Sequence, residues 1–543
     1  MINTLSNQRA VEDRRSAFNA EGITATPEGI SEENRPRVLT DVLRIAETTC
    51  GDQVKVVSST QRLSYAEIGR YSDRLASRLV AHDVNPGDRV VIGLPNSTEF
   101  IIACFAVWKA RGVVVAIDHH AQAENLRSIL ERTEPVVLIA EANFAEKIQE
   151  MPVPLRSFRA FFLKNGCTDP SATGQISVES FHSAIESDAE LANLPVVAQP
   201  DDLATITFTS GSTNVPKGVM HTHESILACA SFTLSYLQLS RDDVMMLPLP
   251  LHHVLAFRRF LTCFLAQCTL VLASDIFMMR QFSTARPTGL VLVPSACDIL
   301  IDKFADFFHK QGECLRYVEI GSEPISGERL HALQTILPNV RVHLTYGLTE
   351  GRVGYLRAGS NGVFDRLDRS NQGVEIAVVD ADGDPVGEGE TGEILIFGSG
   401  LFKGYWGDSV ATQTQWKEAG FRTGDLGIVD ENGRIRLAGR IDDIIKIGGH
   451  KINPREIETV LQRHPAVAEA VVTGRVAAQG DLGNALQAFV VCRKGFVASD
   501  IELLAYCREH LELYKVPATI HFRVSLPKTS LGKIQRHIVA QSY

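Results

Sequence analysis

The sequence predicts an α/β fold with a large N-terminal domain of parallel-rich sheets, a β-rich subdomain and a small α+β C-terminal domain. Three observations carry this. From Leu39 onward, short β-branched apolar runs alternate with helix-length periodic segments, the rhythm of βαβ units. Between Asn371 and Arg436, turn signals crowd together and the runs between them are short. The last hundred residues compress into helix, strand, strand and helix.

The elements follow in order. Residues 1–36 are polar and Glu/Asn-rich and read as an N-terminal extension. Arg89 to Leu94 reads as a strand after the Pro86-Gly87-Asp88 turn. Val113 to Ile117, Val136 to Ala140, Met245 to Leu249, Leu270 to Ala273 and Leu290 to Pro294 read the same way. Glu99 to Lys109 and Ala123 to Arg132 fill gaps of helical length. The turns Asp380-Ala-Asp-Gly383, Gly387-Glu-Gly389 and Asp430-Glu-Asn-Gly433 bracket short strands such as Gly392 to Phe397, which implies antiparallel hairpins. Pro454 to Arg463 and Ser499 to Leu511 read as helices, and Ala468 to Thr473 and Ala488 to Cys492 as strands. The resulting division is 1–36, 37–441 and 442–543.

Composition bounds the function. The chain has 543 residues, too many for one ordinary core. Its net charge of −10 and lack of a dense Lys/Arg run argue against a nucleic-acid partner. Ten cysteines are scattered without a Cys-x-x-Cys pair, and His252-His253 has no further ligand at metal spacing, so neither a disulfide framework nor a zinc site is implied. The polar start, Met1 to Thr24, does not read as a secretory leader. The longest apolar run, Phe100 to Trp108, is too short for a membrane span. A cytoplasmic enzyme is the expectation.

One stretch points to phosphate. Thr207 to Val219 is rich in Ser, Thr and Gly and carries Lys217 near its end. A β-branched run precedes it, and an apolar-periodic segment, Ser225 to Leu237, follows. Read as strand, hydroxylated loop and helix, it would offer backbone N–H groups, hydroxyls and an ammonium to phosphate oxygens. It is not a Walker A loop. Pro216 stands where the second glycine belongs, and Gly218 follows Lys217 where a hydroxyl residue is required.

The stretch resembles the signature loop of the adenylate-forming superfamily, which includes acyl-CoA synthetases, aryl-acid ligases, luciferases and peptide-synthetase adenylation domains. Asn214 departs from the usual glycine there but tolerates a left-handed backbone. Six further segments resemble the superfamily's motifs in the correct order. Pro248 to His253 resembles the motif beside the acyl pocket, which places His253, Val254 and Phe257 there; His252 stands where an aromatic is common and Ala256 where a glycine is common. Gly321-Ser322-Glu323-Pro324 resembles the adenine loop. Thr345 to Glu350 resembles the motif whose glutamate coordinates magnesium and whose threonine touches phosphate, roles that fall on Glu350 and Thr349, with Tyr346 and Gly347 beside the nucleotide. Phe421 to Leu426 resembles the ribose motif, which gives Asp425 the hydroxyls. Gly439-Arg440-x-Asp442-Asp443-x-x-Lys446 resembles the hinge motif, with Arg440 reaching ribose or phosphate and Asp442 as pivot. Pro527 to Lys533 resembles the loop that carries the catalytic lysine, here Lys533.

The resemblance implies ATP and Mg2+, with Thr209, Ser210, Gly211, Ser212, Thr213 and Lys217 on the phosphates. It also implies a mobile C-terminal domain that turns between two half-reactions. A carboxylate attacks ATP to give acyl-AMP and pyrophosphate, and an acceptor then displaces AMP. Lys446-Ile447-Gly448-Gly449 matches the segment lining a thiol tunnel, which favours CoA; a carrier-protein thiol and an amine remain as alternatives. Arg352 keeps the amine open, because a guanidinium in the acyl pocket could hold an amino-acid carboxylate, as in ligases that join coronafacic-type acids to amino acids. Arg258 and Arg259 are further candidates for that role. A non-enzymatic nucleotide sensor is the other class, disfavoured because Glu350 and Lys533 are both kept.

Overall fold

A computed structural model describes residues 35–151, 157–165, 176–187, 194, 197–209, 216–273, 278–358, 364–368, 370–371, 373–417, 420–447, 450–475, 485–528 and 534–541. They form two compact units. The first holds the described residues up to Phe364 together with 368–376 and 396–421; the second holds 365–367, 377–395 and the described residues from Arg422 on. The sequence set the start of the C-terminal domain at Asp442. The second unit also takes in 422–441, because Gly420–Val429 pairs with Ile435–Arg440 as a hairpin around the Asp430 turn.

The first unit contains two sheets. In one, Val54–Val57, Thr269–Leu272, Val244–Leu247, Gly289–Leu292, Tyr317–Ile320 and Arg341–Leu348 lie parallel, with Arg62–Ser64 antiparallel to Val54–Val57 and Gly351–Ala358 antiparallel to Arg341–Leu348. In the other, Arg89–Gly93, Val113–Ala116, Val137–Glu141, Ala160–Lys164, Ser177–Ser180 and Leu203–Thr209 are parallel. Their near-continuous Val, Ile, Leu and Phe content follows from burial on both faces. Thr98–Lys109 is buried from Thr98 through Trp108, as a helix must be when apolar all round. Its Phe105 and Trp108 meet Phe257, Phe260 and Phe264 edge-on or tilted.

The predicted elements stand within three residues of their expected ends. Three departures from the sequence reading have a local reason. The strand expected through Pro294 stops at Leu292, because Pro294 opens the helix Pro294–Gln311, where its missing N–H costs nothing. The helix expected from Ser225 begins at His223, because Thr222 and Ser225 cap it reciprocally at 3.1 Å. The third difference corrects the phosphate-loop reading. Lys217–Thr222 is a strand that pairs antiparallel with Leu203–Thr209, from Thr209 opposite Lys217 to Leu203 opposite Thr222. The hydroxylated stretch therefore connects two strands of a hairpin, and no helix N-terminus follows it directly.

The second unit ends in a three-stranded sheet. Val467–Arg475 is antiparallel to Ala485–Cys492, and Thr519–Arg523 adds in parallel, a strand the sequence reading did not include. Pro454–Arg463 and Asp500–His510 supply Ile457, Leu461, Leu503 and Cys507 to its core. Among the described residues, no helix is long and apolar enough to cross a membrane.

Candidate active site

Residues 210–215, and with them Ser210, Gly211, Ser212 and Thr213, lie outside the described residues; Thr209 and Lys217 face each other at the base of their connection. The outer edge of Lys217–Thr222 is covered by a short strap. Gly404 pairs with Met220 and Tyr405 with Val219, and the Trp406 N–H donates to the Gly218 carbonyl at 2.7 Å. Arg132 donates to the carbonyls of Pro216 and of Trp406, the latter at 3.0 Å, and so ties the hairpin base to the strap. The Lys217 ammonium lies 5.1 Å from the centroid of the Tyr405 ring.

The strap also reaches Glu350. Thr349 and Glu350 form the two-residue turn between Arg341–Leu348 and Gly351–Ala358. The Phe402 N–H donates to the Glu350 carbonyl at 2.7 Å, and the Tyr405 hydroxyl donates to Glu350 Oε1 at 2.7 Å. Tyr405 thus joins Lys217 on one side to the Glu350 carboxylate on the other.

The turn is held from below. Arg258 Nη2 and His221 Nε2 approach the Thr349 carbonyl at 2.9 and 2.7 Å, and Arg258 Nη1 donates to the Leu348 carbonyl at 3.3 Å. A carbonyl only accepts, so His221 carries its proton on Nε2, and its Nδ1 accepts from Ser225 Oγ at 3.1 Å. Burial, reinforced by the charge of Arg258, lowers the His221 pKa to about 3. It stays neutral at physiological pH.

Gly321-Ser322-Glu323-Pro324 leaves the end of Tyr317–Ile320. Ser322 adopts a left-handed φ of 77°. A Cβ on Gly321 would lie 2.4 Å from Thr345 Cγ2, so the glycine permits close approach to the strand carrying Tyr346 and Gly347. The structure brings these two motifs together.

His253 precedes the helix Val254–Ala266, with Val254 first in it. Phe257 is buried against Trp108 and Phe260 in the aromatic core. Arg352 lies opposite Gly347 and is 4% exposed. Glu319, fully buried, accepts a bidentate ion pair from Arg259 and a 3.0 Å hydrogen bond from the Tyr355 hydroxyl. Burial raises the Glu319 pKa, but Arg259 outweighs it and the net shift is downward.

In the second unit, Asp425 and Arg440 stand opposite each other in register, and Arg440 Nη1 donates to Asp425 Oδ1 at 3.0 Å. Thr423 fixes the strand there by donating to the Ile394 carbonyl at 2.8 Å and accepting from the Asp425 N–H at 3.0 Å. Gly424 has φ 71°, and a Cβ there would meet Arg440 Nη2 at 3.0 Å. Asp442 is exposed in the turn that follows Arg440. Lys446 begins to leave that turn in Ile445–Ile447, which pairs with His450–Ile452; Gly448 and Gly449 between them lie outside the described residues. So does Lys533. Its loop is pinched at the base, where Lys528 bridges Ile534 and the Gln535 N–H donates to the Pro527 carbonyl at 2.9 Å. Arg536, just beyond, pairs with Glu458 and with Asp443 at 3.6 Å.

The arrangement agrees with a family model described as AMP-binding enzyme, which matches residues 43–406, and with one for the AMP-binding enzyme C-terminal domain, which matches 456–533. The chain belongs to the AMP-binding enzyme family. It is 29% identical over 525 residues to a probable CoA ligase of Humulus lupulus, covering 93% of this chain and 96% of that one. It is 29% identical over 504 residues to an oxalate–CoA ligase of Arabidopsis thaliana, covering 90% and 95%. Its fold matches that of ATP-bound MatB from Rhodopseudomonas palustris with a TM-score of 0.80 at 23% identity, over 93% of this chain and 99% of that one. The predicted superfamily and the α/β fold with a smaller C-terminal domain therefore hold. Within this AMP-binding enzyme, sequence reasoning missed Tyr405, His221 and Arg132. Lys403-Gly404-Tyr405-Trp406-Gly407 carried a local signal, an aromatic pair between glycines, but nothing that named Glu350 as its partner.

Proposed function

We propose that this enzyme activates a carboxylic acid with ATP and passes the acyl group to CoA. The carboxylate attacks the α-phosphorus, acyl-AMP forms and pyrophosphate leaves. The CoA thiol then attacks the acyl carbon, loses its proton, and AMP departs. The observation that supports this most is the convergence of Lys217 and the Glu350 carboxylate on Tyr405 at the base of the hydroxylated hairpin. Cation, carboxylate and small-residue loop are the parts a triphosphate site requires. The similarity to named CoA ligases over nearly the whole chain favours the thiol acceptor.

The residues fit Mg2+. Among the described residues no group of three His, Cys, Asp or Glu could hold a metal alone. A single half-buried carboxylate beside a phosphate loop suits an ion that takes one or two protein oxygens and completes its shell with phosphates and water. Glu350 would hold it, and the ion would neutralise phosphate charge. Tyr405 orients the Glu350 carboxylate, and Arg258 and His221 fix the turn that presents it. Asp425 accepts from the ribose hydroxyls, Arg440 steadies Asp425, and Asp442 is the pivot for the C-terminal residues that follow it. Lys533 guides the substrate carboxylate and offsets the charge that grows on the α-phosphate.

Two assays on wild type and Lys533→Ala test this. Acid plus ATP should release pyrophosphate in the wild type, and Lys533→Ala should lower that step by roughly 10²-fold or more. Transfer from supplied acyl-AMP to CoA should stay nearly intact, because the acyl-phosphate bond is already activated. Equal losses in both assays would make Lys533 structural, and an amide or a carrier-bound product in place of the CoA thioester would overturn the acceptor.

A further inference from the structure

The charge around Glu319 does not balance. Two buried arginines, Arg259 and Arg352, share a single fully buried carboxylate, with a third, Arg258, buried on the same helix as Arg259. Arg259 takes both oxygens of Glu319, and the Tyr355 hydroxyl takes Oε1 as well. Arg258 spends its guanidinium on the carbonyls of Leu348 and Thr349. Arg352 comes last: its Nη2 is 3.6 Å from Glu319 Oε1, beyond hydrogen-bond reach, and its Nε and Nη2 are buried without a hydrogen-bond partner.

A guanidinium does not shed its proton, so burial cannot neutralise Arg352. It lies 4.5 Å from the centroid of the Tyr355 ring and 5.0 Å from that of Phe232. Tyr236 stacks on Tyr355 at 3.6 Å, which extends the aromatic wall. Ring faces attract a cation but accept no in-plane hydrogen bonds. The Nε–Nη2 edge, the edge that matches a carboxylate in two parallel bonds, therefore has no acceptor of its own. Buried donors left unpaired on a charged group are among the costliest features a fold can carry. The Arg352 backbone lies two residues past Glu350 and opposite Gly347, next to the turn assigned to the phosphates.

We propose that Arg352 selects acids that carry a second carboxylate, remote from the one that is adenylated: the substrate is a dicarboxylic acid whose distal end pairs with the Nε–Nη2 edge inside the Phe232–Tyr355 wall. The proposal rests on the acid-activating reading above. It differs from a purely structural role, in which Arg352 only balances Glu319 and its loss would affect every acid alike.

The test is acid-dependent pyrophosphate release with pairs matched in shape: succinate and butyrate, glutarate and valerate, adipate and hexanoate, terephthalate and 4-methylbenzoate. In the wild type, at least one diacid should exceed its methyl-ended partner in kcat/KM by roughly 10²-fold or more, because a site built to pair a polar group rejects the analogue that lacks it. Arg352→Met should collapse or invert that ratio, and Arg352→Lys should keep the preferred sign at reduced size. Wild-type use of monoacids as good as that of their diacid partners overturns the proposal, and this comparison needs no variant. An unchanged ratio in Arg352→Met overturns it too, as does an equal loss on both members of a pair. No pyrophosphate with any acid would overturn the ligation reading and the proposal with it.

Discussion

Two ionic sites in this molecule use the same chemistry under opposite conditions. Asp425 and Arg440 are matched one to one, neighbours across a hairpin, with side chains 13% and 35% exposed. Around Glu319 the pairing is two guanidiniums to one carboxylate, with Arg259 and Glu319 fully excluded from water and Arg352 nearly so. Water reaches the first pair through Arg440 and screens it in part, so its partners can part and offer their oxygens and donors to a ligand at smaller cost. The second has no such screening, and each member depends on the others. A balanced, wet pair is poised to exchange partners, whereas an unbalanced, dry one holds its place in the core and retains an unmet demand for negative charge.

The sharpest way to break that contrast is to remove one acid from each site. Glu319→Gln would leave Arg259 and Arg352 buried without a counterion and should cost about 3–5 kcal/mol of stability. Asp425→Asn should cost less than about 1 kcal/mol, while still weakening nucleotide binding. Urea unfolding of both variants, read at the first transition, compares them directly; equal losses would mean that Glu319 is not in a dry site.

A smaller effect separates structural from functional acids. Glu350 is half-buried and accepts from Tyr405, so Glu350→Gln should fold normally yet lose roughly 10²-fold in acid-dependent ATP turnover. Wild-type turnover with wild-type stability would remove Glu350 from the site.

The smallest effect is one of pH. His221 and His223 are 1% exposed, and burial depresses their pKa values to about 3 and about 4. The unfolded chain binds their protons near pH 6.5 and the folded protein does not. Stability from these residues is therefore full above that pH and falls as the pH drops from about 6.5 toward about 4. The loss approaches about 1.4 kcal/mol per pH unit for each histidine. His221→Gln, which preserves a donor to the Thr349 carbonyl, should flatten the slope measured by unfolding between pH 7 and 5. An unaltered slope would show that His221 titrates normally.

Local signals made much of this legible beforehand. The parallel strands were readable because burial on both faces leaves continuous apolar runs, and Pro454–Arg463 because Asn453 and Pro454 mark its start. The seven motifs gave the nucleotide residues their order along the chain. What stayed hidden depended on distant partners. Lys217–Thr222 reads as loop because Gly218 interrupts it, and only pairing on both edges makes it a strand. Thr519–Arg523 is short and follows Pro517, so its parallel pairing with Ala485–Cys492 leaves no periodic trace. Arg259 and Glu319 are each ordinary charged residues in sequence, and nothing local shows that burial makes them a pair. Tyr405 was invisible for the same reason, since its role is defined by Glu350 and Lys217.

The strap that covers the outer edge of Lys217–Thr222 also sets a schedule for synthesis. Met220 and its partner Gly404 are so far apart in the chain that a ribosome makes the second roughly 10–40 s after the first. Until then one edge of Lys217–Thr222 presents unpaired N–H and C=O groups, an open template for another nascent chain. Gly404 takes its place with φ 147°, and a Cβ there would lie 2.9 Å from Thr412 Cγ2, so a bulkier residue would delay or prevent closure. The same few residues that orient the Glu350 carboxylate in the finished enzyme thus decide how long this edge stays open to aggregation.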